Sequence, residues 1–389
     1  MAQEKVYLDH NATTPVSSEI RELFPLWLDQ WGNASSIHQV SRGPKTILRE
    51  TRKLIADCLQ IHPHELIFTS GGTESNNTII QGVFRLLKNQ RPRLICSAIE
   101  HPSVLKTMKV LIAEGAEVIT IPVSRDGFLD MEFYKNVVNE QTALVSIMGA
   151  NNEIGSLFPI QELATIAHEK GALFHVDAVQ LLGKTEIDLK NWNVDYASFS
   201  GHKWNALKGS GIIYVKKSSP FQNLVIGGGQ ERSRRGGTEN ILSIASLGES
   251  FKKWNSISIQ TQKMTELRDY FESRMLTEFS GVHVTAQKSL RLGNTSSLVI
   301  NGVDGETLLM SLDLKGFMVS TGAACSSGSP EPSPVLLSIG LSREEAQSSL
   351  RISIGWETTK EEMDQFIETL KSIVERLRNL NHKGELSDE

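Results

Sequence analysis

The sequence predicts an α/β fold: a large domain with a mainly parallel seven-stranded sheet flanked by helices, and a smaller α+β domain. Between about residues 50 and 215, seven short β-rich runs alternate with amphipathic helical patterns, which is the sequence form of a mainly parallel sheet. The runs are LIFTS, RLICSAIEH, EVITIPV, ALVSIMGANN, LFHVDAVQ, YASFSGHK and GIIYV. Because they are nearly continuous in apolar residues, we expect the sheet to be buried on both faces.

The pattern changes after about residue 250. A long amphipathic helix over residues 257–279 is followed by strands around VHVTA and SSLVING, a strand RISIG and a final helix from Lys360. A chain of 389 residues also exceeds the size at which one core usually keeps growing. We therefore predict a large domain over residues 16–255 and a small domain built from residues 1–15 and 256–389.

Composition limits the classes of partner. The formal net charge is −5 and no block is rich in lysine or arginine, which argues against nucleic acid or an anionic membrane as the main partner. The N-terminus has no basic start followed by an apolar run, so we expect a cytoplasmic protein. The three cysteines, Cys58, Cys96 and Cys325, are widely spaced, which fits neither a disulfide framework nor a metal cluster.

Polar residues follow four of the predicted strands at the point where each strand ends. They form the clusters 100–101, 151–153, 177–180 and 200–203. In open α/β sheets the ligand crevice lies at the carboxyl ends of the strands. We therefore expect these clusters to meet in one site.

The segment SGGTES, residues 70–75, follows one strand and opens a helix. Glycines let a ligand approach the backbone, and a helix start offers unpaired N–H groups to an anion. The segment is neither a Walker loop nor GxGxxG, so it predicts a phosphate site other than that of a nucleoside triphosphate or dinucleotide. An ordinary glycine turn with Thr73 as helix N-cap is the alternative.

Asp177 and Lys203 end two neighbouring apolar runs. A buried carboxylate is costly unless it is paired, so Asp177 either caps a helix, forms an ion pair, or holds a proton on a cofactor's pyridine nitrogen. A lysine such as Lys203 can form a Schiff base if its neighbours lower its pKa, although a solvated surface lysine is commoner. An anion-binding helix start, an aspartate and a lysine at one sheet edge are the parts that a pyridoxal 5′-phosphate (PLP) site needs.

Six motifs in order along the chain resemble those of the cysteine desulfurases, which belong to the class V aminotransferase group of fold-type I PLP enzymes. They are LDHNATTP, SGGTESNN, ANNEIG, HVDAVQ, SFSGHK and GGGQERSRRGGT, and the likeness runs from Val6 to Gly355. The resemblance implies a PLP-dependent enzyme that converts L-cysteine to L-alanine and passes the sulfur, as a persulfide on the enzyme, to an acceptor protein in iron-sulfur cluster assembly or tRNA thiolation.

The resemblance also implies a role for each matching residue. Lys203 would carry the cofactor as a Schiff base, Asp177 would pair with the pyridinium nitrogen, and Gln180 would hydrogen-bond the phenolic oxygen. His101 would stack on the ring and serve as an acid or base. The remaining cofactor contacts would come from Gly72, Thr73, Ser200 and His202 at the phosphate, Asn152 beside the ring, and Thr238 at the phosphate of the partner subunit of a homodimer with shared sites.

Two further residues are implied to hold the substrate's carboxylate. They are Asn33, in the segment WGNASS, and Arg351, which begins the predicted strand RISIG. A guanidinium can hold a carboxylate through two parallel hydrogen bonds. Either residue taken alone could equally belong to a turn or to the surface.

Cys325 lies in a run of small and turn-forming residues, 320–333, which predicts an exposed loop. Cys58 and Cys96 instead lie in a helical pattern and a strand, where an inert thiol is the usual case. The pattern SxGxACxSGSxEPS resembles the long-loop group that includes the nitrogen-fixation and general iron-sulfur assembly enzymes. The resemblance implies that Cys325 is the nucleophile that receives the sulfur.

The sequence departs from the family in two places. Residues 204–209 read WNALKG, where the family usually has a glycine-proline pair before lysine-glycine, so the rim of the cofactor pocket could differ. The C-terminal tail does not resemble the scaffold-docking end of the iron-sulfur assembly enzymes. Three alternatives stay open: a selenocysteine lyase or cysteine sulfinate desulfinase, an inactive PLP-bearing scaffold protein, and an aldolase-type lysine without cofactor.

Overall fold

The computed structural model describes residues 5–322 and 331–385. These residues form twelve strands. In chain order the strands are β1 Val6–Tyr7, β2 Leu66–Thr69, β3 Arg93–Ser97, β4 Glu117–Ile121, β5 Thr142–Met148, β6 Leu173–Asp177, β7 Tyr196–Ser200, β8 Gly211–Val215, β9 Val282–Val284, β10 Thr295–Ile300, β11 Phe317–Met318 and β12 Ser349–Ser353.

Fourteen helices occur in the same part of the chain. They are α1 Ser18–Leu28, α2 Arg42–Cys58, α3 Gly72–Leu87, α4 Pro102–Ile112, α5 Met131–Val137, α6 Ile160–Glu169, α7 Leu189–Trp192, α8 Gln230–Ser233, α9 Ile241–Phe251, α10 Ile257–Glu278, α11 Gly305–Asp313, α12 Pro334–Ser338, α13 Arg343–Gln347 and α14 Lys360–Glu385. Over residues 5–322 and 331–385, no helix has the length and apolar character needed to cross a membrane.

The central sheet has seven strands in the order β2-β8-β7-β6-β5-β3-β4. The pairs β3–β4, β3–β5, β5–β6 and β6–β7 are parallel. Only β8 runs against its two neighbours, β2 and β7. The predicted fold class, a mainly parallel seven-stranded sheet with flanking helices, is therefore confirmed.

Burial of the sheet differs between its centre and one edge. Every residue of β2, β5, β7 and β8 is buried, and two hydrophobic clusters cover the two faces. The expectation of full burial is wrong for β4, where Glu117 and Thr120 are exposed. This strand lies at the end of the sheet and has one strand neighbour instead of two.

A second hydrophobic core lies on a three-stranded antiparallel sheet of β12, β10 and β9. The N-terminal strand belongs to it by packing, since β1 pairs in parallel with β11 and Val6 and Leu8 join this cluster. Whether the two units divide at residues 15/16 and 255/256 stays a prediction.

The N-terminal segment then crosses from this second core to the large sheet. The backbone N–H of His10 donates to the carbonyl of Ser353 in β12 at 3.0 Å, and the N–H of Thr14 donates to the carbonyl of His202 at 2.9 Å. Residues 10–14 therefore span the space between β12 and the carboxyl end of β7.

Candidate active site

A cavity of ≈ 350 Å³ lies at the carboxyl ends of the sheet strands, beneath the N-terminal segment. Ten of the residues predicted from the sequence line it. They are Gly72, Thr73, His101, Asn152, Asp177, Gln180, Ser200, His202, Lys203 and Arg351. The strand-end clusters therefore converge, as the sheet-edge argument predicts.

Lys203 is the last residue of the short 3-10 helix Gly201–Lys203 that follows β7, and the N-terminal segment holds its side chain. Its Nζ donates to the carbonyl oxygens of Asn11 at 2.6 Å and Ala12 at 2.7 Å. Burial, together with the nearby guanidinium of Arg351, lowers the pKa of Lys203 to about 8. About a tenth of this amine is therefore uncharged at pH 7, and the uncharged form is the one that attacks a carbonyl.

Asp177 is the last residue of β6 and is buried. Its Oδ2 accepts from Nδ2 of Asn76 at 2.7 Å, and its Oδ1 accepts from the N–H of Val179 at 3.0 Å. Burial raises the pKa of Asp177, while these two hydrogen bonds and the nearby amine of Lys203 favour its charged form. The carboxyl forms no ion pair with any described side chain, so a protonated ring nitrogen would complete its pairing.

His101 is the N-cap of α4, a position that fixes its tautomer. Its Nδ1 accepts from the backbone N–H of Ser103 at 3.1 Å. The Ser103 hydroxyl lies 2.8 Å from the same nitrogen, and it accepts from Asn76 Nδ2 at 2.9 Å. Burial lowers the pKa of His101, so we assign the neutral imidazole with its proton on Nε2. This leaves Nε2–H as the group that the ring can offer to a bound molecule.

The anion-binding end of the cavity is formed by the start of α3 and the end of β7. Gly72 is the first residue of α3 and Gly71 is its N-cap, so the alternative of Thr73 as N-cap is wrong. A Cβ at Gly72 would lie 2.6 Å from Cγ2 of Val179, and the close approach of this neighbour explains the glycine. His202 is neutral near pH 7, because burial lowers its pKa to about 4.

Arg351 lies in the middle of β12 and not at its start, because the strand begins at Ser349. Its Nη2 donates to Oδ1 of Asp9 at 2.6 Å and its Nη1 donates to the carbonyl of Asn152 at 3.2 Å. Its Nε is buried and has no hydrogen-bond partner among the described residues. Arg351 lines the cavity, and Nη1 and Nη2 each keep a second hydrogen beyond these two contacts, so the guanidinium is suited to a small carboxylate.

Asn11 is a central residue of the site that the strand-end argument does not predict. Its backbone carbonyl accepts from Lys203 and from Nε2 of Gln180 at 3.1 Å. Its side-chain Nδ2 donates to the carbonyl of Asn152 at 3.0 Å and its Oδ1 accepts from Lys184 at 2.7 Å. The only sequence signal for Asn11 is its place in the motif LDHNATTP.

Two predicted residues lie elsewhere in the single chain. Asn33 is exposed, and its Oδ1 accepts from the N–H of Ser35 at 2.8 Å in its own turn. Thr238 lines a separate cavity of ≈ 200 Å³, which Arg235 also lines. Nε of Arg235 lies 3.0 Å from Oε1 of Glu74. Their roles at the substrate and at a partner's phosphate stay predictions.

Two of the three cysteines lie in regular secondary structure, Cys58 in α2 and Cys96 in β3. Cys325 lies outside the described residues. Cys96 is fully buried in β3, where burial raises its pKa far above the usual range, and burial raises the pKa of the half-buried Cys58 to about 11. Thiols with raised pKa values are poor nucleophiles, as the sequence predicts for both.

Asn205, in the segment after Lys203 that departs from the family, has an unusual backbone conformation. This residue has φ 59, in the left-handed region, which asparagine tolerates better than most non-glycine residues. Its N–H donates to Oγ1 of Thr14 at 2.7 Å and its Nδ2 donates to the carbonyl of Pro15 at 2.8 Å. Asn205 thus takes the conformation that glycine favours and also ties the N-terminal segment to the cavity rim.

The chain matches the aminotransferase class-V family over residues 6–366. It belongs to this family. It is 40% identical over 381 residues to the cysteine desulfurase IscS of Dictyoglomus turgidum, covering 97% of each chain. Among solved structures, a NifS-like protein has a TM-score of 0.89 at 34% identity over 95% of this chain and 99% of that one. The structure of SspA in complex with cysteine has a TM-score of 0.79 at 32% identity, with coverages of 90% and 98%.

Proposed function

We propose that this protein is a PLP-dependent cysteine desulfurase that converts L-cysteine to L-alanine and takes the sulfur onto Cys325. The observation that carries the proposal is the meeting of Lys203, Asp177 and the start of α3 in one cavity. The cysteine desulfurase identity of a relative at 40% supports it, as does the similarity to SspA in complex with cysteine.

The donor set of the cavity fits PLP part by part. The N-terminus of α3, with Ser200 and His202 nearby, suits a phosphate. Asp177, buried and without a cationic partner among the described side chains, suits a pyridinium nitrogen. When bound, PLP would supply an electron sink for bonds at the substrate's α-carbon.

The substrate's α-amine and α-carboxylate each have a recognisable partner. Lys203 in its neutral form would hold the cofactor through its aldehyde carbon and would give up that place to the substrate's amine. The freed Lys203 amine is then available to move the proton at the substrate's Cα. Arg351 holds the carboxylate through its guanidinium, which lines the cavity.

Asp177 and His101 act on two other protons of the reaction. Asp177 would keep a proton on the ring nitrogen, and Asn76 holds its carboxylate in place at 2.7 Å. His101 offers the proton on its Nε2, because Ser103 engages Nδ1. This arrangement suits His101 as a hydrogen-bond donor toward the departing or incoming group rather than as the base at Cα.

Sulfur transfer balances as a two-electron step. The thiolate of Cys325 attacks the substrate sulfur, so an S–S bond forms while the substrate's carbon–sulfur bond breaks. The bonding electrons stay with the three-carbon fragment, which takes up a proton and leaves as alanine. The persulfide on Cys325 is the species that a protein acceptor, for iron-sulfur assembly or tRNA thiolation, would receive from a cytoplasmic homodimer.

The visible spectrum of the purified protein tests the proposal. A lysine-bound cofactor gives a yellow protein, and Lys203→Ala should lose this band. Lys208→Ala changes an exposed lysine five residues along the chain, so it serves as the matched control and should keep the band. A colourless wild type that added PLP does not turn yellow would contradict the proposal.

A further inference from the structure

A second buried lysine lies beside the site. Lys184 has a relative exposure of 4%, and its Nζ donates to Oε1 of Gln180 and, at 2.7 Å, to Oδ1 of Asn11. No described carboxylate forms an ion pair with it. A buried amine without a carboxylate is costly, and the proposed chemistry gives Lys184 no direct part.

The backbone at Lys184 is held from both cores. Gly183 has φ 74, and a Cβ there would lie 2.1 Å from Cδ1 of Trp204. Nε1 of Trp356 donates to the carbonyl of Gly183 at 2.8 Å, and Oγ1 of Thr261 donates to the carbonyl of Lys184 at 3.0 Å. The backbone position from which the Lys184 side chain reaches Gln180 is therefore fixed.

The contacts of Gln180 determine which way its amide faces. Its Oε1 accepts from Lys184, and its Nε2 donates one hydrogen to the carbonyl of Asn11 at 3.1 Å. A lysine amine facing an amide favours the carbonyl end, and a backbone carbonyl can only accept. The amide is therefore held in one orientation. The second hydrogen on Nε2 is left for a molecule in the cavity that Gln180 lines.

We propose that Lys184 is a positioning residue that fixes the Gln180 amide with its donor end toward the cofactor's phenolic oxygen. The inference rests on the proposed function, because that oxygen belongs to PLP. A phenolic oxygen that carries negative charge needs a donor. The opposite orientation would present Oε1 and repel it.

The charge of Lys184 is not needed for this role. The other ionisable groups around it are Lys203, Arg351, Asp9 and His10. Burial, with the two cations nearby, lowers the pKa of Lys184 well below its usual range. A neutral amine still has two N–H donors, one for each of its two contacts.

The test is a pH titration of the visible band of the lysine-bound cofactor. A donor to the phenolic oxygen favours the deprotonated form of the cofactor–lysine linkage. Lys184→Met should therefore move the midpoint upward by about one pH unit, as expected for losing one hydrogen bond to a charged acceptor. Lys190→Met, at an exposed lysine of α7, is the matched control and should leave the midpoint unchanged.

A double-mutant comparison separates orientation from charge. In a Gln180→Met background, Lys184→Met should add no further shift if the lysine acts through Gln180. An equal shift in both backgrounds, or no shift in a folded Lys184→Met protein, would overturn the inference. If Lys184→Met does not fold, Lys184→Gln is compared in the same two backgrounds and judged in the same way. A wild type without the visible band would instead reject the proposed function.

Discussion

The guanidinium of Arg351 donates to the carboxylate of Asp9 at 2.6 Å, and its Nε has no hydrogen-bond partner among the described residues. Both side chains are largely buried, at 8% and 20% exposure. The positive charge is therefore already compensated in the chain without substrate. A carboxylate that binds Arg351 would join Asp9 at the guanidinium and would use the second hydrogens of Nη1 and Nη2.

Arg351→Lys should raise KM for cysteine with little change in the visible band. Lysine keeps the charge but loses the planar fork that grips a carboxylate. Loss of one charge-assisted hydrogen bond predicts a roughly 10- to 100-fold lower kcat/KM. Steady-state kinetics measure the effect, with Arg343→Lys at an exposed position as the control. An unchanged KM would show that Arg351 does not hold the substrate.

Asn76→Ala should lower kcat by about tenfold or more while leaving KM nearly unchanged. The variant removes the 2.7 Å donor to Asp177 and the 2.9 Å donor to the Ser103 hydroxyl. A buried carboxylate that loses a donor is harder to keep ionised, so the ring nitrogen keeps its proton less well. A kcat equal to that of wild type would count against this chain of hydrogen bonds.

Glu100→Gln should change how stability depends on pH. Burial raises the pKa of Glu100 to about 8, and its Oε1 accepts from Ser97 and from the N–H of Met148. Between the unfolded pKa of about 4.5 and the folded value, the folded state retains the proton and the unfolded state loses it, so wild type loses stability as pH rises.

Glutamine cannot ionise and can keep the same two contacts. The free energy of unfolding of the variant should therefore rise, relative to that of wild type, by about 1 kcal/mol or more between about pH 5 and pH 8. Chemical denaturation at both pH values measures the difference. Parallel pH curves for the two proteins would mean that the Glu100 carboxyl is ionised in the folded state. A neutral Glu100 also spares Asp177 a second negative charge nearby.

Cys325→Ser should keep the visible band and abolish sulfide release from cysteine. A hydroxyl at this position cannot form a persulfide. Cys58→Ser is the matched control, because Cys58 is half-buried in α2 and its raised pKa makes it unreactive. Labelled sulfur from cysteine should appear on the wild type and on Cys58→Ser only. If Cys325→Ser also carries labelled sulfur, a residue other than Cys325 accepts it.

The sheet edge was predictable from the sequence because it depends on local pattern. Apolar strands ending in polar residues fix where Asp177 and Lys203 lie, whatever the rest of the chain does. Both residues line the cavity. Arg351 was placed by family resemblance, and its strand begins two residues earlier than the pattern RISIG suggests.

The strand pattern did not predict Asn11 or Lys184 as part of the site, because both depend on contacts between residues far apart in the sequence. Asn11 reaches the site because the N-terminal segment crosses from β12 to the end of β7. Lys184 has no local sign of burial, and its place follows from Trp204 and Trp356 packing around Gly183. Asn33 and Thr238 lie outside the cavity of the single chain, and their roles stay predictions.

The most direct test of the central claim is the amount of alanine formed from L-cysteine by the purified, yellow wild-type protein in the presence of a thiol reductant. We expect alanine and sulfide in equal amounts and over many turnovers. A protein that shows the visible band of lysine-bound cofactor but forms no alanine from L-cysteine would contradict it.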